Sequence, residues 1–149
     1  NRSTVCFALR LITSSLHHLI TIHLFSYMRK PKPHYQLQCW QLSFEFVPLA
    51  YQLARKFPVE ERYELASQVR RAATSVPLNI AEGAGRNGPA EFSRFLTIAR
   101  ASIIELDTTF LLAERLGYIS TAETDKAIAA LDHIAALING LLKKLRLDT

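Results

Sequence analysis

The sequence has few of the residues that interrupt helices or cross-link small folds. It holds five glycines, six prolines and two cysteines in 149 residues. So few turn-forming residues disfavour a fold of many short strands, which needs frequent turns. Cys6 and Cys39 are too few for a disulfide framework, and they fit a reducing, cytoplasmic setting. These scarcities favour long helices in a chain without disulfides.

Acidic residues are missing from the first 44 positions. Residues 1–34 carry five basic residues, whereas the other 13 basic residues are matched by 13 acids. The formal net charge of +5 therefore belongs to the N-terminal segment, and the rest of the chain is neutral. Net charge alone gives no argument that the neutral part binds nucleic acid.

The N-terminal 27 residues are apolar but are interrupted by serine, threonine and histidine. A secretory signal is one interpretation, although Arg10 breaks the apolar run and no small-residue cleavage site follows. A membrane-spanning helix is a second, and its three histidines would be costly in hydrocarbon. The interpretation that we favour places this stretch outside the functional domain.

A domain boundary is expected near Pro33. Met28 is the only methionine and offers a start site, and the alternating lysines and prolines that follow it predict a stiff linker. We therefore predict a non-domain extension and linker over residues 1–34 and a folded domain over residues 35–149.

Apolar residues recur every three or four positions in four segments of this domain, which predicts four helices. They are expected at about 37–56, from 60 or 64 to 84, at 89–116, and from 120 onward. Short connections between them favour an all-α, up-down-up-down four-helix bundle. The apolar side of the first helix is predicted from the spacing of four residues, Trp40, Phe44, Val47 and Tyr51.

Several residues mark the ends and bends of these helices. Pro89 suits the first turn of the third helix, and Gly117 suits the position just after its end. Ser120 and Glu123 have the spacing of a capping box at the start of the fourth helix. Pro48 and Pro77 lie inside helices and are expected to kink them.

A polar stripe runs along the second predicted helix, with spacings of three and four residues. Its functional interpretation is a binding surface or a polar contact between subunits, and the alternative is a solvated face with ordinary ion pairs. Arginines nearby suit phosphate contacts, although they too could simply pair with glutamates. The predicted polar or nucleic-acid surface comprises Arg70, Arg71, Ser75, Asn79, Glu82, Arg86, Arg94 and Arg100.

The fourth predicted helix carries two adjacent apolar stripes, although one is enough to face a four-helix core. The second stripe would leave a long apolar strip on a monomer, and such strips usually mark interfaces. The alternative is that another helix of the same chain covers it. The predicted oligomer interface consists of Ala127, Ala130, Ile134, Leu137 and Leu141.

Residues suited to catalysis or metal binding are sparse. His133 is the only histidine in the middle of a predicted helix of the domain, and no cysteine stands beside it. The glycine-rich run at 83–88 follows a helix and lacks the Lys-Ser/Thr pair of a phosphate-binding loop, so a helix end is the better account. We expect no catalytic, cofactor-binding or metal-binding residues and no small-molecule substrate.

The segment Ser-Val-Pro-Leu-Asn-Ile-Ala-Glu-Gly at residues 75–83 carries a family resemblance. With residues 68–73, 91–102 and 116–119 around it, the chain resembles the four-helix-bundle family of proteins encoded in intervening sequences of large-subunit ribosomal RNA. The resemblance covers about residues 35–146. It implies a homo-pentamer and a distant relationship to the accessory proteins of diversity-generating retroelements, which assist a reverse transcriptase and its RNA.

Two functions follow as hypotheses. The first is a non-enzymatic, homo-oligomeric interaction or scaffold protein in the cytoplasm, without a cofactor and without a membrane partner. The alternative is an accessory factor that binds nucleic acid, RNA in particular, through the surface arginines. Most members of the family that the chain resembles have no assigned activity.

Overall fold

The computed structural model describes residues 32–147. The predictions for Cys6, Met28 and the N-terminal apolar stretch therefore lie outside the described residues. The chain divides into two units, residues 1–32 and residues 33–149. The boundary predicted at residue 34 from the charge pattern stays a prediction.

Four α-helices and two short 3₁₀ turns make up the second unit, and the described residues include no strand. A 3₁₀ turn at Pro33–Gln36 leads into α1 (Gln38–Ala54), and a second at Val59–Arg62 leads into α2 (Leu65–Ala84). The remaining helices are α3 (Pro89–Arg115) and α4 (Thr121–Leu147). Each helix packs against its neighbour in sequence, and α4 also packs against α1. The predicted all-α, four-helix architecture is confirmed.

Local signals explain where the helices begin and end. Gly117 has a φ of 77° and donates to the carbonyl of Glu114, while the N–H of Tyr118 donates to the carbonyl of Ala113. This pair of bonds ends α3 in a Schellman motif, for which the positive φ favours glycine. At the start of α4, the Ser120 N–H donates to Glu123 Oε2, and the Glu123 N–H donates to Ser120 Oγ. The capping box predicted from the sequence is present.

The buried residues of α2 and α3 follow the apolar spacing of three and four positions in the sequence, whereas the side predicted for α1 is not the buried one. The buried residues of α1 are Cys39, Ser43, Phe46, Ala50, Leu53 and Ala54. Phe44 is 52 % exposed, and Trp40, Val47 and Tyr51 are only partly buried. The prediction that these four form the core side of α1 is wrong, because a second row, rotated by about one residue or ~100°, faces the bundle instead.

None of the helices within residues 32–147 combines the length and the apolar character needed to cross a bilayer.

Pro48 and Pro77 both lie inside continuous helices. Pro77 is buried, and because it has no N–H it leaves the carbonyl of Ala73 without its usual intrahelical donor.

Candidate functional site: the polar face of α2 and α3

The polar stripe of α2 is partly an inter-helical contact. Asn79 Nδ2 donates to the Ser75 carbonyl at 2.8 Å and to Ser75 Oγ at 3.0 Å. Ser102 Oγ of α3 donates to Ser75 Oγ at 2.8 Å. Ser102 is buried, while Ser75 and Asn79 are half-buried. These three side chains therefore join α2 to α3, and their polar groups are satisfied within the chain.

The pairing of Ser75 with Ser102 could not be read from the sequence. Buried residues spaced by three and four positions around Ser102, such as Ala99 and Leu106, put Ser102 on the inner side of α3, but a periodicity within one helix gives no information about the residue opposite. A serine inside an otherwise apolar seam was the signal that a polar partner was needed across the helix interface, because buried hydroxyls nearly always find one.

Beyond this cluster, two exposed arginines of the predicted surface pair with nearby glutamates. Arg86 forms an i,i+4 salt bridge with Glu82, whose hydrogen bond raises the pKa of the Arg86 guanidinium. Arg86 and Arg94 lie over the ring of Phe95, with guanidinium carbons 5.5 and 5.6 Å from its centroid. Arg94 also pairs with Glu91 at 3.6 Å. These two arginines are therefore compensated locally, as the solvated-face interpretation expects.

The other three arginines of the predicted surface bond to neutral groups. Arg70 donates to the carbonyl of Arg62, Arg71 donates to Ser67 Oγ, and Arg100 donates to Asn139 Oδ1. No described carboxylate forms a salt bridge with any of these three. Their positive charges are therefore available to an anionic partner.

Gly83 is the last residue of the segment 75–83, which carries the family resemblance, and it is buried in α2. A Cβ at this position would lie 2.7 Å from Phe95 Cβ and 2.9 Å from Phe92 Cδ2. The glycine therefore permits α2 to lie close against the first turns of α3. Gly83 thus has a packing role. The account of the glycine-rich run as a helix end applies to Gly85, the C-cap of α2, whereas Gly88 is the N-cap of α3.

The predicted oligomer stripe of α4 is divided between core and surface. Ala127 is 0 % exposed and Ile134 is 2 % exposed within the single chain. Their assignment to a subunit interface is therefore wrong, because the helix presents to the core a row that straddles both predicted stripes. Ala130, Leu137 and Leu141 are partly buried and pack against the core. These three keep some surface for another subunit.

The described residues bring together no metal-binding set. They contain no group of three histidine, cysteine, aspartate or glutamate side chains placed to hold a metal ion. Cys39 is free and buried, and burial raises the pKa of its thiol. Since the thiolate is the nucleophile, the surroundings of Cys39 disfavour reactivity.

Comparison with known proteins agrees with this fold. The family model for the 23S rRNA-intervening sequence protein matches residues 35–140. The chain belongs to the 23S rRNA-intervening sequence protein family. The family resemblance seen in the sequence is thereby confirmed, and no enzymatic family is indicated.

One solved structure gives independent support for this membership. It is a protein with unknown function from the S23 ribosomal protein family of Bacteroides thetaiotaomicron. It shares 25 % sequence identity with this chain, with a TM-score of 0.65, and the match covers 70 % of this chain and 98 % of that one. No curated protein matches the sequence.

Proposed function

We propose that this family member is a non-enzymatic scaffold or interaction protein that works as a homo-oligomer in the cytoplasm. The proposal rests on one observation: large apolar side chains on the outward side of α3 stay exposed to solvent in the single chain. Five large aliphatic residues of α3 and its C-cap are exposed, and we call them the α3 outer face: Ile98, Ile104, Leu111, Leu112 and Leu116.

The residues of the α3 outer face are more exposed than the partly buried Ala130, Leu137 and Leu141 of the predicted α4 stripe. Ile104 is 61 % exposed and Leu111 is 49 % exposed, and they lie two helical turns apart on one line. Burying the exposed halves of such side chains contributes roughly 1 kcal/mol each from area alone. Large apolar side chains that stay exposed on one side of a helix are candidates for an interface. The family resemblance suggests five subunits, whereas the α3 outer face requires only more than one.

Substitution of Leu111 tests the assembly. Leu111→Glu would place a charge in the proposed interface, so light scattering should detect a folded species with fewer subunits than the wild type. Val59→Glu is the matched control, since Val59 is 73 % exposed and lies in the 3₁₀ turn before α2. A wild-type mass of one subunit would contradict the proposal, as would equal effects of the two substitutions.

The second candidate function is nucleic-acid binding through the arginines, and the uncompensated charges of Arg70, Arg71 and Arg100 favour it. Phosphate contacts release counterions, so affinity for RNA should fall steeply with salt. Each Arg→Ala substitution at these positions should make the salt dependence shallower, whereas Arg86→Ala, which removes a paired arginine, should change it less. Salt-independent binding would argue against this function.

A further inference from the structure

The side of α1 that faces solvent carries no charge. Its four exposed residues are two glutamines, a proline and a phenylalanine, and we call them the α1 outer side: Gln38, Phe44, Pro48 and Gln52. Glu45 is the one charged residue within α1, and it is half-buried. The exposed positions of the other three helices include charged residues such as Arg71, Glu91 and Asp125. The solvent-facing side of a helix usually carries charges, so the neutral side of α1 points to cover by another protein.

Phe44 supplies most of the apolar surface of the α1 outer side. It is 52 % exposed, and it is held in place by stacking on Trp40, with the two ring centroids 5.1 Å apart. Pro48, one helical turn further along α1, is exposed as well. Aromatic residues are enriched and charged residues are depleted at the centre of protein–protein interfaces. The α1 outer side therefore has the composition of an interface.

The α1 outer side and the α3 outer face lie at opposite corners of the bundle. α1 packs chiefly against α2 and α4, and α3 packs chiefly against the same two helices. One chain therefore presents two apolar surfaces that cannot cover each other. A second copy of the chain carries the same two surfaces and can cover both.

The charges beside these two surfaces are of opposite sign. Glu105 is the only charged residue among the exposed positions of α3 between Thr97 and Leu112. Arg55, the C-cap of α1, is exposed one turn beyond Gln52. No described residue forms a salt bridge with Glu105 or Arg55. Contact between the two surfaces of different copies can therefore bring this carboxylate and this guanidinium together, which favours a second copy as the partner.

We propose that the α1 outer side of one copy packs against the α3 outer face of the next copy. The inference rests on the proposed homo-oligomer and names the two surfaces that meet in it. A contact in which the α3 outer face meets its own copy would leave the α1 outer side exposed. A head-to-tail contact covers both surfaces with one kind of interface, and its repetition leaves neither surface free when the assembly closes.

Two charged variants of the full-length protein test this arrangement when they are mixed. Phe44→Glu places a charge on the α1 outer side, and Leu111→Glu places one on the α3 outer face. Light scattering should show one subunit for each variant alone, because every contact needs one surface of each kind. An equimolar mixture should contain a species of two subunits, since the intact α3 outer face of Phe44→Glu can receive the intact α1 outer side of Leu111→Glu.

The subunit number of the wild type separates the two ways of failing. A wild type of one subunit would contradict the proposed function, and this inference with it. If the wild type is an oligomer, the inference alone is overturned by any of three results. Phe44→Glu could keep the wild-type subunit number, either variant alone could form a dimer, or the mixture could stay at one subunit.

Tyr63→Glu is the matched control, because Tyr63 is an aromatic residue that is 79 % exposed and lies outside both surfaces. It should keep the wild-type subunit number. Loss of assembly in Tyr63→Glu would show that any added charge disperses the copies, and it would overturn the inference. Circular dichroism checks that each variant is folded. If Phe44→Glu does not fold, Gln52→Glu replaces it, since Gln52 is exposed on the same side and its size hardly changes.

Discussion

Gly83 illustrates how a single residue can control the approach of two helices. A Cβ there would meet Phe95 Cβ at 2.7 Å, and that atom is fixed by the α3 backbone and cannot rotate away. Any side chain at this position must push α2 and α3 apart. The segment that carries the family resemblance is therefore also the place where the two helices are packed without room for a methyl group.

We predict that Gly83→Ala lowers the free energy of unfolding by about 1–3 kcal/mol, the usual cost of overpacking. Gly140→Ala is the matched control, because nothing lies within 4 Å of a Cβ built at Gly140 inside α4. It should raise stability by about 0.5–1 kcal/mol through helix propensity alone. Denaturant unfolding measures the free energy of unfolding of both variants. A higher free energy of unfolding for Gly83→Ala would contradict the prediction, because it would show that α2 and α3 can move apart without cost.

Tyr118 and Glu61 show how residues outside the helices fix the ends of α2 and α3. Glu61 Oε2 accepts the N–H of Leu65 at 3.2 Å, which satisfies a donor in the first turn of α2. The hydroxyl of Tyr118 donates to Glu61 Oε1 at 3.2 Å. Desolvation and this bond raise the pKa of Tyr118. A single carboxylate therefore ties the start of α2 to the residues that follow α3.

At the scale of an element, the start of α4 depends on one carboxylate. Glu123 accepts from the N–H and the hydroxyl of Ser120, and it forms a salt bridge with Lys56, which follows α1. These contacts, the Lys56 hydrogen bond first, lower the pKa of Glu123 from 4.5 to about 2. The first turn of α4 is therefore joined to the residues after α1 as long as Glu123 is ionised.

The lowered pKa predicts how stability changes with pH. The unfolded chain binds a proton at Glu123 more readily than the folded chain does, so the contribution of Glu123 is complete above about pH 4.5 and is lost as the pH falls towards 2. Thermal unfolding should show Glu123→Gln to be less stable than the wild type at neutral pH, with the difference vanishing near pH 2. Asp132→Asn, which also removes an exposed carboxylate of α4, controls for the loss of one negative charge, and it should destabilise the protein less than Glu123→Gln does at neutral pH.

In both α1 and α4, the row of residues that the structure buries differs from the row that the sequence analysis singled out. Both helices carry apolar residues in two adjacent rows, and only one row of each can be central to the bundle. In α1 the buried row contains small residues such as Ser43 and Ala50, which leaves the aromatic row outside. In α4 the buried row combines Ala127 and Ile134 of the predicted oligomer interface with Leu131 and Ile138 of the neighbouring apolar row.

At the scale of the whole molecule, the N-terminal extension is predicted to be dispensable for folding. The positive charge imbalance and the family resemblance both place residues 1–27 outside the bundle, and the family model begins at residue 35. A protein of residues 28–149 should therefore melt at the same temperature as the full chain. Circular dichroism of the two proteins measures this, and a large loss of stability on truncation would show that residues 1–27 contribute to the fold.

The sequence by itself determined the four helices, most of their ends and the family. These features depend on local chemistry: Gly117 for a positive φ, Ser120 with Glu123 for a capping box, and apolar spacing for the inner sides of α2 and α3. Each is encoded within a few neighbouring residues, so it can be read without knowing the rest of the fold.

Only the tertiary structure decided which of two adjacent apolar rows faces the core, and which residues meet across helices. The exposure of Phe44, the α3 outer face, the Ser75–Ser102 bond and the close approach at Gly83 all depend on the rotation and separation of packed helices. Rotating a helix by about 100° exchanges one row for the next while leaving its periodicity unchanged. Periodicity therefore shows that a helix is amphipathic, whereas the shape of its neighbours selects the side that becomes surface and can bind a partner.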